Sequence, residues 1–116
     1  MPYGGNDWLD ITKEDIIEPL LPICDPHHHY WDLRVERTPY AKYLLHELLD
    51  DISGHNITST VFIEARAMYN ADIEKDFKPV GEVEFVEGIS AASASGIYGK
   101  SRACLWYTSP SPRDSD

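Results

Sequence analysis

An α/β domain built on a parallel sheet is what this sequence predicts, on three observations. Short runs of β-branched residues alternate with stretches of helical period. Turn-forming Gly and Pro residues stand at the joints between them. The resulting order is helix, strand, helix, strand, helix and an opening third strand, and strands separated by helices join as parallel βαβ units. The chain has 116 residues, one domain's worth, and 42% hydrophobic residues supply a core.

Residues 1–11 read as a loose N-terminal arm, with Pro2, Gly4, Gly5 and Asn6 around a lone Trp8. Thr12 followed three residues later by Asp15 resembles a capping box. With Ile16, Ile17, Leu20 and Leu21 behind it, this predicts a helix from Lys13 to Leu20. Pro22 ends it. Ile23-Cys24 then leads into DPHHHYWD, the pattern of a short buried strand with polar residues at its C-terminal end. Residues 32–40 are charged and close on Thr38-Pro39, a surface loop.

From Tyr40 to Ile52, residues Tyr43, Leu44, Leu45, Leu48, Leu49 and Ile52 form one face of an amphipathic helix, with Gly54 placed as its C-terminal cap. The run ITSTVFIEA, Ile57 to Ala65, predicts a strand buried on both faces. Val83, Val86, Ile89 and Ala92 predict a helix over Val80 to Ser95 closed by Gly96, its Ala and Ser residues packing close against a sheet. Ser101 to Tyr107 opens a third strand.

Charge narrows the partners. Twenty acidic residues face 10 basic ones, a net charge of −10, which disfavours nucleic acid and anionic membranes. No apolar run reaches the roughly 18 to 20 residues of a membrane span, and the first 15 residues lack a secretory pattern. Two cysteines, Cys24 and Cys104, are too few for a disulfide scaffold. These features predict a cytoplasmic protein; oligomeric state stays open.

Chemistry concentrates in Asp25-Pro26-His27-His28-His29-Tyr30-Trp31. In extended backbone, His27 and His29 share one face and His28 takes the other. The pair reads either as an accidental polar turn or as two ligands of one divalent ion, which needs at least one more ligand from elsewhere. Asp25 shares their parity and is placed to orient a ligand ring. Glu64 and Arg66, at the end of the second strand, are candidate substrate contacts, Arg66 for a carboxylate; a solvated ion pair is the competing reading. Glu82, Glu84 and Glu87 spread over different helix faces and read as solvated surface, His46 as solvent-facing and His55 as structural. Cys24, flanked by apolar residues, reads as buried and inert. Tyr98-Gly99-Lys100-Ser101 lacks the earlier glycine of a phosphate loop.

A strand running into D-x-H-x-H-x-W resembles the first barrel strand of the amidohydrolase superfamily. The segments ICDPHHHYWDLR, YLLHELLDDISGHNITSTVFIEARAMY and KPVGEVEFVEGISAAS are similar to the first two βα units of its amidohydrolase-related (amidohydrolase family 2) group of metal-dependent TIM-barrel hydrolases. The resemblance runs from about Trp8 to Cys104. It implies the first two βα units, and the start of a third, of an incomplete (β/α)8 barrel in residues 12–104. It implies His27 and His29 as ligands of a divalent metal, zinc foremost, and Trp31 as an aromatic beside the substrate. The implied reaction is attack of metal-activated water on a lactone or amide carbonyl of a small-molecule substrate. The family's later histidines and its acid/base aspartate have no counterpart here, so the chain alone is expected to be inactive. A barrel takes about 250 residues, so the chain reads as an N-terminal fragment. Residues 105–116 break the pattern. YTSPSPRDS reads as a phosphosite or flexible tail, or, the favoured reading, resembles translated sequencing-adapter read-through. The alternative function is a short acidic interaction module whose apolar second strand needs a partner and whose histidines bind metal incidentally.

Overall fold

The computed structural model describes residues 5–33 and 41–108. Three strands, β1 (Pro22–His28), β2 (Asn56–Ile63) and β3 (Arg102–Thr108), form one parallel sheet in the order β1-β2-β3. Helices α2 (Leu45–Asp51) and α3 (Val80–Ala94) make the two crossovers, preceded by a short α1 (Gly5–Leu9). The predicted α/β class, its parallel strands and its helix–strand alternation are all present.

One face of the sheet carries the core. Tyr30, Phe62 and Ala103 pack with Leu45 and Leu48 of α2 and Val86 of α3, with Tyr43, Phe85, Ile89 and Ala92 closing around them. The expected close approach of α3 is made by Ser93, whose hydroxyl accepts the Ala103 backbone N–H at 2.8 Å and donates to the Ser101 carbonyl at 3.3 Å. Gly54 and Gly96 end α2 and α3 with φ of +90° and +80°, the left-handed turn glycine takes without strain.

Several expectations need correction. No helix covers Lys13 to Leu20; helix instead occupies Gly5–Leu9, inside the expected loose arm, followed by a 3₁₀ turn at Asp10–Thr12. Pro19 explains this, because it removes a donor and bars Glu18 from helical backbone. Helix α2 starts at Leu45, not at Tyr40, which lies outside the described residues. Tyr43 is instead held in extended pairing with Trp31, its N–H and carbonyl exchanging bonds of 2.6 and 2.9 Å with that residue. The Glu47 carboxylate then accepts the Leu44 N–H at 2.8 Å and opens the helix.

Strand β2 is buried on one face only. Thr60 and Phe62 face the helices, whereas Ile57, Ser59, Val61 and Ile63 are half-buried on a face that no described helix covers. Cys24 pairs in register with Ser59, lies on that same open face, and is exposed where it was expected buried. The ladder of β3 runs through Thr108, so strand backbone extends into segment 105–116; residues 109–116 lie outside the described residues.

Candidate metal centre

The histidine cluster sits at the C-terminal end of β1, where the ladder with β2 slips. Asp25 pairs with Thr60 and His28 with Phe62, so three steps on β1 oppose two on β2. Pro26, lacking an N–H, falls inside this bulge. The Asp25 carboxylate accepts the His27 backbone N–H at 3.1 Å and so fixes the bulge itself. It is the ring-orienting role expected of Asp25 that passes to another group.

Beyond the bulge the predicted alternation holds. His28 turns into the core, 8% exposed, with its Nε2 2.7 Å from the Thr60 hydroxyl and its ring edge-on to Tyr30 at 4.9 Å. Burial lowers its pKa, against the opposing pull of Asp25, so the ring is neutral near pH 7. Among the described residues, its buried Nδ1 finds no hydrogen-bond partner.

His27 and His29 take the other side, and their Nε2 atoms meet at 3.3 Å. The His29 Nδ1 lies 2.8 Å from the Ile63 carbonyl at the end of β2. A carbonyl only accepts, so Nδ1 carries the proton and Nε2 of the neutral ring keeps its lone pair. This is the backbone orientation that metal-binding histidines commonly receive. Two nitrogens about 2.0–2.1 Å from a tetrahedral ion lie about 3.3 Å apart, so the separation fits a shared zinc. Trp31 is half-buried beside the pair, its ring centroid 6.3 Å from that of His29. Among the described residues, no three His, Cys, Asp or Glu side chains converge on a metal position. The fold brings two imidazole nitrogens together at this end of the sheet.

No protein-family model, curated protein or solved structure matches this chain.

The loop after β2 flanks the pair on the same end of the sheet. Glu64 accepts the Tyr69 O–H at 2.7 Å, a contact that adds to burial in raising the Tyr69 pKa. Arg66 is exposed with φ of +63°, and Met68 follows at +60°. Both left-handed residues have a common cause in Glu82, which is 3% exposed and contradicts its reading as solvated surface. Its carboxylate accepts the Ala65 and Ala67 N–H groups at 3.2 and 2.9 Å. Alternating left-handed residues turn successive amides toward one anion. Burial holds the Glu82 carboxyl above its ordinary 4.5, and the amide donors oppose that rise. Glu84 and Glu87 are exposed, as expected. The clue to Glu82 was its position four residues before Val86 and seven before Ile89, on the apolar stripe of α3.

His46 lies on the solvent side of α2, edge-on to Tyr98 at 5.3 Å, and His55 is exposed. No helix among the described residues is long and apolar enough to cross a membrane.

Proposed function

We propose that this chain is the front part of a cytoplasmic, metal-dependent hydrolase of the amidohydrolase-related kind, acting on a lactone or amide carbonyl. The observation that carries the reading is the convergence of the His27 and His29 Nε2 atoms at 3.3 Å, at the C-terminal end of the first strand of a parallel sheet. Parallel α/β barrels place their chemistry at that end. The strand order, each strand beside its neighbour in sequence, also suits an arc of such a barrel. So does the layering, because helices cover one face while Val61 and Ile63 lie on an open face, as toward a barrel interior.

A divalent ion held by His27 and His29 would polarise the scissile carbonyl and activate water beside it. The chain's own residues prepare the place. The Ile63 carbonyl fixes the His29 tautomer, and the Asp25 bond fixes the bulge from which His27 projects. Trp31 offers an apolar wall against a substrate ring. Glu64 and Arg66 stand on the next loop as substrate contacts, in a backbone shape set by Glu82. The general acid/base, an aspartate in the family resembled, comes from outside these residues.

Sequencing the source gene past the codon for Cys104 tests this reading. Further βα units bearing later histidines and a late aspartate support it. An immediate stop with no such units in the surrounding DNA refutes it. One observation favours the interaction-module alternative. Ile11, Ile17 and Leu20 are 76%, 89% and 84% exposed, apolar side chains left open in the segment that leads into β1.

A further inference from the structure

We propose that zinc joins two copies of this chain through a four-nitrogen site made of His27 and His29 from each. The proposal rests on the ligand-pair part of the hydrolase reading and not on the reaction. Zinc in a closed site takes four ligands in tetrahedral array. The described residues offer two, already at the separation a tetrahedral ion requires, and no third. A second copy related by a twofold axis through the ion supplies an identical pair and closes the shell with protein nitrogens alone.

The pair is reachable. His27 is exposed, at the end of a strand that pairs on one side with β2, and the contact between the two rings is itself exposed. It is also largely preorganised, since the bond to the Ile63 carbonyl fixes the His29 tautomer and leaves its Nε2 unprotonated. Without metal, the His27 Nε2–H donates to His29 Nε2 across 3.3 Å. Zinc takes both Nε2 lone pairs, and the His27 proton moves to its own Nδ1 through solvent. Charge opposes the approach, because each chain carries −10. Raising salt from about 0.01 M to 0.15 M shortens the screening length from about 30 to 8 Å and should tighten the bridge.

The test is a zinc titration of the full 116-residue chain by calorimetry, with sedimentation run in parallel. The expected result is one zinc per two chains and a species of twice 13.2 kDa, reversed by chelator. His27→Ala, at an exposed position, keeps the core and should lose the dimer with affinity down more than about 100-fold, since losing even an outer-shell partner costs 10- to 100-fold. His29→Gln should behave alike. One zinc per monomer would overturn the bridge and leave the hydrolase reading standing. No zinc uptake would overturn both. A zinc dimer that survives both substitutions would place the bridge elsewhere and refute it. A His-dependent dimer from a gene with no further barrel units would sustain the bridge while ending the hydrolase reading.

Discussion

Two glycines of α3 separate local preference from packing. A Cβ added at Gly81 would lie 2.3 Å from the Met68 carbonyl oxygen and 3.0 Å from the Asn70 nitrogen, both backbone atoms. Ordinary contact is about 1 Å longer, so the loop must move. That loop is the one whose Ala65 and Ala67 amides bond the buried Glu82 carboxylate. Gly81→Ala therefore gains up to about 1 kcal/mol of helix preference. Against that stand about 1–3 kcal/mol of overpacking and about 1.5–3 kcal/mol if one charge-assisted bond is lost. The net expectation is destabilisation of about 0–2 kcal/mol from overpacking alone and about 1.5–5 kcal/mol if the bond is lost as well. Gly88 is the internal control, because no heavy atom lies within 4 Å of its added Cβ. Gly88→Ala should stabilise by about 0.5–1 kcal/mol. Urea unfolding followed by circular dichroism reads both, and the slopes should agree between variants. Equal midpoint shifts for the two substitutions would show that the loop does not bear on Gly81, and the argument for the Glu82 clamp would fall with it.

Three other outcomes are expected. Because the Glu82 pKa is raised above 4.5, the folded chain binds more protons than the unfolded chain above that pH. Its contribution is thus greatest below pH 4.5 and declines as pH rises through the folded value. The stability of the wild type relative to Glu82→Gln should therefore fall between pH 4 and pH 7; a gap that widens with pH would contradict this. Thr60→Val removes the hydrogen-bond partner of the buried His28 Nε2 and should cost about 1–3 kcal/mol in urea unfolding. Adding His28→Phe should recover most of that, and failure to recover would locate the cost elsewhere. Lactones and aryl amides should show no hydrolysis above background with the 116-residue chain and zinc, and a rate abolished by His27→Ala would disprove this.

Alternation and period carried much of the fold. The β-branched run of β2, the packing of Val86, Ile89 and Ala92 from α3 and the opposite facing of His28 from its neighbours all follow from side-chain geometry along one element. What failed depended on contacts between elements. The apolar residues of 13–20 have helical spacing, but Pro19 lies among them, and no periodicity count registers a missing donor. Tyr43 lies on a helical apolar face in sequence, yet a backbone exchange with Trp31 claims it. Cys24 looked buried because its neighbours are apolar, whereas burial depends on whether a layer covers that face. The convergence of His27 and His29 was legible from their spacing. The orienting carbonyl of Ile63, 34 residues away, was not.

The exposed thiol of Cys24 has a use of its own. It stands on the open sheet face, in register with Ser59, so anything that comes to lie over that face must shield it. Alkylation kinetics at Cys24, read by peptide mass, make the chain its own footprinting probe. Brisk labelling means a bare face. Slowed labelling in a longer chain, or beside a candidate partner, reports a layer that has settled over the face.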